Sequence, residues 1–89
     1  MPNSHIDFVV SPNPVTDQMK YSFTLDKSMD VVLKITDFSG RPIKKLFDNI
    51  SLEAGYYEET VDLNNLPKGI YNFYFLAGDK VLNSRIIKL

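Results

Sequence analysis

Ile70-Tyr71-Asn72-Phe73-Tyr74-Phe75-Leu76-Ala77, followed by Gly78-Asp79 and then Lys80-Val81-Leu82, is the stretch on which the fold turns. A run without a charge, rich in aromatic and branched side chains and stopped by a Gly-Asp pair, reads as a β-strand entering a two-residue hairpin loop. Tyr71, Phe73, Phe75 and Ala77 fall on one face and Ile70, Tyr74 and Leu76 on the other, which predicts a central strand covered on both sides. Residues 80–89 form the returning strand, with Val81, Leu82, Ile86, Ile87 and Leu89 as its apolar positions.

The same period of two extends upstream. Asp62-Leu63-Asn64-Asn65-Leu66-Pro67-Lys68-Gly69 is a compact crossing segment, with Leu63 and Leu66 spaced to plug one end of a core and Pro67 and Gly69 fixing its exit. Val31, Leu33 and Ile35 alternate with Val32, Lys34 and Thr36 until Asp37-Phe38-Ser39-Gly40, where Asp37 can bond its own backbone and Gly40 can take positive φ. The return arm, residues 42–47, opens on Pro42, which suits an edge strand. It is expected to turn Ile43 and Leu46 or Phe47 inward around an exposed Lys44-Lys45 pair. Residues 48–55, ending at Gly55, are expected to form a turn region before Tyr57, Thr60 and Val61.

Met19, Tyr21, Phe23 and Leu25 alternate with Lys20, Ser22 and Thr24, and Asp26-Lys27-Ser28 closes that strand. Before it, residues 6–10 form a short apolar strand stopped by Ser11-Pro12-Asn13-Pro14, a rigid corner because two prolines remove donors and restrict the backbone on either side. No segment reads as helix, and no repeat or linker is evident. The sum is an all-β fold, an immunoglobulin-like antiparallel sandwich of about seven strands. Residues 1–5 are read as a disordered tail and residues 6–89 as the one domain.

With 89 residues and 44% hydrophobic composition, there is room for one core and none for a deep multi-part cleft. Ten Lys+Arg against eleven Asp+Glu leave a formal net charge of -1, which argues against nucleic acid as a partner. The lack of cysteine removes disulfides, thiolate metal sites and cysteine nucleophiles. No apolar run is long enough for a membrane-spanning helix, and residues 1–5 lack the basic and apolar regions of a signal peptide.

The ionisable inventory is thin. His5 is the only histidine and sits in the expected tail. Most aspartates fall one to a turn or strand end, where the side chain bonds local backbone, and none has calcium-loop spacing. Glu58 and Glu59 point to opposite faces of a strand, so they form no acid/base pair. Phe73 and Phe75 read as core, while Tyr56, Tyr57 and Tyr74 are the aromatics left for a surface. Lys44, Lys45, Lys80, Arg85 and Lys88 are too sparse for nucleic acid and suit strand faces and edge protection. Asn49-Ile50-Ser51 matches a glycosylation triplet, a pattern common by chance. No catalytic residue, cofactor or metal site is expected.

Taken together, Ser11-Pro12-Asn13-Pro14-Val15-Thr16-Asp17, Asp37-Phe38-Ser39-Gly40-Arg41-Pro42-Ile43, Leu52-Glu53-Ala54-Gly55-Tyr56-Tyr57, Asp62-Leu63, Leu66-Pro67-Lys68-Gly69-Ile70-Tyr71 and Arg85-Ile86-Ile87-Lys88-Leu89 resemble the type A carboxy-terminal sorting domain of the type IX secretion system of certain Gram-negative bacteria. Each piece alone is weak; their order and spacing carry the resemblance, which runs nearly end to end. The resemblance implies a non-enzymatic module that sits behind an amino-terminal cargo domain. It also implies recognition in the periplasm by a translocon and a shuttle, and passage across the outer membrane to the exterior or cell surface. Removal by a sortase-like cysteine protease, often with attachment of the cargo to the surface, would follow.

The residues expected to meet that machinery are Arg85, Ile86, Ile87, Lys88 and Leu89, whose strand would offer an uncapped edge to a receptor, and Pro12, Asn13 and Pro14. Asp37, Gly40, Gly55, Leu66, Pro67, Gly69 and Tyr71 are expected to be structural parts of the motif. The oligomeric state is left open, with weak dimerisation through the last strand as one possibility. Two other readings stay available from the residues: a carbohydrate-binding or adhesive sandwich appended to a hydrolase, which requires Tyr56, Tyr57 and Tyr74 on one face, and an assembly module of the flagellar hook-capping kind.

Overall fold

The computed structural model describes residues 7–12 and 14–89. The expected tail, with His5, and residue Asn13 of the corner lie outside them. Seven strands follow one another: β1 Val9–Ser11, β2 Gln18–Leu25, β3 Met29–Asp37, β4 Pro42–Leu52, β5 Gly55–Asp62, β6 Gly69–Ala77 and β7 Lys80–Lys88. They form two antiparallel sheets, ordered β1-β2-β5 and β4-β3-β6-β7, packed as the expected sandwich.

Alternation sets the core. Met19, Tyr21, Phe23 and Leu25 from β2 meet Val31, Leu33 and Ile35 from β3 and Tyr71, Phe73, Phe75 and Ala77 from β6. Phe23 and Phe75 are the aromatic centre, with ring centroids 4.8 Å apart. Such pairs contribute about 0.5–1.5 kcal/mol beyond the area they bury. Phe8, just ahead of β1, stacks on Phe75 at 4.8 Å. The first strand therefore starts later than expected, because the ring preceding it is used as a plug between the sheets.

Three further expectations are corrected. The central strand β6 is covered on one face only: Ile70 is exposed and Asn72, Tyr74 and Leu76 are half-buried. Its outer face is apolar because it lies beside Val32 and Val81, which pair across from Leu76. The turn expected at residues 48–55 is strand as far as Leu52, leaving Glu53-Ala54 as the connection. Register shifts along the β3–β4 pairing and Asn49 at φ 56 slip the alternation, so Ile43 is exposed while Leu46 and Phe47 both pack half-buried against the core. A bulge adds a residue that simple alternation does not count, and Asn is among the few residues that take a left-handed backbone readily.

Candidate functional site at one end of the sandwich

Strand directions gather distant segments of the chain at a single end. Register runs Asp37 to Tyr71 and Tyr71 to Ile86, so the β3–β4 hairpin, the start of β6 and the last turns of β7 stand side by side. The corner joins them through Val15, which is wholly buried and forms a parallel bridge with Lys88. Val15 N donates to Ile87 O at 2.9 Å, and Leu89 N donates to Val15 O at 2.8 Å. The crossing segment is tied in by Leu63 N donating to Asp17 O at 2.7 Å. Of the segments that carry the family resemblance, only the Leu52 to Tyr57 piece lies at the other end.

The bridge alters the expected presentation of the last strand. At Ile87 and Leu89 its edge is not bare, because Val15 occupies the outward carbonyl and amide. What β7 offers here is side chains: Arg85, Ile87 and Leu89 are exposed, whereas Ile86 is in the core and Lys88 is 8% exposed. Lys88 follows Ile86 on the inner face, and its Nζ donates to Leu89 O at 3.4 Å. Pro12 and Pro14 are both exposed beside this bridge. A shallow groove of about 290 Å³ runs from Ser11 and Pro12 along Gln18 and Lys20.

The hairpin is fixed by one carboxylate. Asp37 Oδ1 accepts from Ser39 Oγ at 2.7 Å, from Ser39 N at 3.0 Å and from Arg41 N at 3.0 Å, and Oδ2 lies 3.3 Å from Arg41 Nε. The Ser39 hydroxyl, then the two backbone amides and the Arg41 charge, hold this carboxyl below the usual carboxylate range. Gly40 at φ 93 completes a three-residue loop that leaves Phe38 81% exposed at the tip.

Tyr71 OH donates to Pro67 O at 2.6 Å. A tyrosine near the start of this strand, bonded back to the crossing that leads into it, is the tyrosine corner of immunoglobulin-like sandwiches. The same device occurs a second time: Tyr57 OH donates to Glu53 O, also at 2.6 Å. The preceding glycines match as well, Gly55 at φ 151 and Gly69 at φ 156, a region essentially reserved for glycine. Leu52 and Leu66, each five residues before the tyrosine, both pack half-buried on the core. Leu-x-x-Gly-x-Tyr is thus written twice, at the passages into and out of β5, a repeat that the sequence reading did not detect.

The remaining candidates are dispersed. Tyr56 lies on the outer face of the β1-β2-β5 sheet and bonds Glu58 Oε1 at 3.0 Å; Tyr57 stacks inward on Phe23 at 5.1 Å; Tyr74 lies on the outer face of the other sheet beneath Lys34 Nζ, 5.0 Å from its ring centroid. The three tyrosines make no common platform for a sugar. Glu58 pairs with Lys20 at 2.9 Å, a hydrogen bond that lowers the Glu58 pKa and raises that of Lys20. Glu59, on the opposite face of its strand, lines a groove of about 350 Å³ with Lys44, Tyr21 and Phe47 between the β4 and β5 edges. Inward-pointing charges of this kind protect sheet edges from pairing. Burial pushes the Tyr21 phenol up to about 12, with the Glu59 charge adding to it.

No curated protein matches the chain. The family described as the secretion system C-terminal sorting domain matches residues 9–89, a span that opens at β1 and takes in the corner, both tyrosine corners and the last strand. The chain therefore belongs to this family, whose members are targeting modules that carry an attached cargo through the type IX secretion system and the outer membrane to the cell surface or exterior.

Proposed function

We propose that the sorting signal is read at the end of the sandwich where the corner meets the last strand, and that it is read as one folded surface. Pro12, Asn13 and Pro14 with the outward side chains of Arg85, Ile87 and Leu89 contact the translocon and its shuttle. Ile86 and Lys88 act from within, seating the strand that carries the others. The module has no catalysis of its own, and a sortase-like protease removes it after passage and joins the cargo to the surface. The Val15 bridge is the observation that supports this reading: its two backbone hydrogen bonds hold the corner against β7, so segments at opposite ends of the chain share one surface.

The test is a fusion of residues 3–89 behind a signal peptide and a fluorescent cargo, expressed in a type IX-competent bacterium and in a secretion-defective strain. Cargo should reach the medium and the cell surface in the competent strain alone. Ile87→Ser combined with Leu89→Ser should leave the purified domain folded and strand the cargo in the periplasm. Export of that double variant at the unaltered level would overturn the assignment to this surface, and export independent of the type IX system would overturn the sorting reading for this chain.

A further inference from the structure

We propose that the rim of the β4-β3-β6-β7 sheet at this same end is a contact surface for an anionic lipid bilayer. Phe38 is 81% exposed on a hairpin that Asp37 holds rigid; Ile70 and Ile87 are cross-strand partners, 46% and 43% exposed; Leu89, 60% exposed, follows on the same strand. The register from Asp37 through Tyr71 to Ile86 places the base of the hairpin and the Ile70-Ile87 pair within about 10 Å, two strand spacings. The two grooves lie elsewhere, between the β4 and β5 edges and beside Pro12. Exposed apolar side chains of this kind match a fluid acyl boundary, which needs no complementary shape.

The charge around the rim selects the kind of bilayer. Lys34, Lys45, Arg41, Lys68 and Arg85 lie on or beside this face of the sheet. Arg41 and Lys45 are paired there with Asp37 at 3.3 Å and Asp48 at 3.9 Å, and Asp30 lies further along the same face, so five cations stand against three acids. The outer face of the other sheet is polar, with Lys20 paired to Glu58 at 2.9 Å and Asp62 adding a further negative charge. A membrane with negative headgroups would therefore orient the domain with the β4-β3-β6-β7 rim down, each exposed cation adding a salt-sensitive increment. The proposal rests on the sorting reading, in which the domain works at the outer membrane, and adds a lipid contact to it.

The test is co-flotation of the full 89-residue chain with vesicles of phosphatidylcholine alone, and of phosphatidylcholine mixed with phosphatidylglycerol. Flotation is expected with the mixed vesicles, weakening as salt is raised. Phe38→Ser, at an exposed position that leaves the core intact, should reduce partitioning roughly tenfold or more, and Lys68→Ser about fivefold at low salt. Absence of flotation with both vesicle types would overturn the proposal, as would flotation indifferent to Phe38→Ser. Binding to outer-membrane fragments that vanishes on vesicles of their extracted lipid would also overturn it, in favour of a protein receptor. Because vesicle binding is measured on the isolated chain, its failure leaves the export assay, and with it the sorting reading, untouched.

Discussion

Two of the three crossings between the sheets, β4 to β5 and β5 to β6, are built alike and situated differently. Both carry the Leu-x-x-Gly-x-Tyr sequence, both place the tyrosine hydroxyl 2.6 Å from the carbonyl four residues back, and both use a glycine at large positive φ. Yet Tyr71 is 7% exposed and its bond is partly buried, while Tyr57 is half-buried and its bond faces water. The first stands at the end that holds the Val15 bridge, paired in register with Ile86; the second is at the far end beside the Glu53-Ala54 turn. Identical local chemistry thus sets the same chain path twice. What each copy contributes depends on how much water its surroundings exclude, because a buried carbonyl left without a partner costs more than a solvated one.

The largest expected effect follows directly. Tyr71→Ala should cost about 3–5 kcal/mol in denaturant unfolding, as for other buried aromatic truncations, against about 1–2 kcal/mol for Tyr57→Ala, whose ring is only partly withdrawn from water. Equal losses would break the comparison.

A third tyrosine sharpens it. Tyr21 is buried with its phenol raised from 10.0 to about 12. A raised acid pKa means that this contribution is fully present below about pH 10 and is lost as the pH climbs through about 12, a total of about 2–3 kcal/mol. Tyr21→Phe should therefore flatten the alkaline limb of the stability–pH curve, and a limb of unchanged steepness would refute the burial argument.

Removing the hydroxyl alone gives the next step down: Tyr71→Phe should cost about 1–3 kcal/mol and Tyr57→Phe about 0.5–1 kcal/mol. The smallest effect belongs to the exposed hairpin. Because the folded state depresses the Asp37 pKa, its stabilising effect is present above the unfolded carboxylate pKa and disappears as pH falls through the lower folded value. The stability gap between Asp37→Asn and the unaltered chain should close on acidification in that window; a gap constant with pH would show that the carboxylate charge plays no part.

The sandwich was legible wherever alternation ran uninterrupted. Met19 to Leu25, Val31 to Ile35 and Tyr71 to Ala77 declare their inner faces in sequence, and the structure buries those residues. Along β4 the reading failed, since the slips opposite Val31, Leu33 and Ile35 are properties of a pair of strands and leave no mark on either one. The repeat of Leu52, Gly55 and Tyr57 by Leu66, Gly69 and Tyr71 was present as a constant spacing, but the intervening residues differ enough to hide it. For the candidate site, the members were legible through family resemblance and their meeting was not. Val15 is an ordinary valine between Pro14 and Thr16, and only the fold reveals that it pairs with Lys88.

That pairing has a mechanical consequence. β1 and β7 run the same way along a body 42 Å long, so that the chain enters β1 partway along it, opposite Ser22, and leaves β7 at the end that holds the corner. A pull on a cargo joined ahead of β1, resisted by a grip on β7, acts along the strands. Val15 and β7 run parallel, so the bonds to Ile87 and Leu89 would be sheared together and not peeled one at a time. Bonds loaded in concert yield at higher force than bonds opened in sequence. The corner would thus serve as a mechanical tether, holding the module folded under a load along its strands.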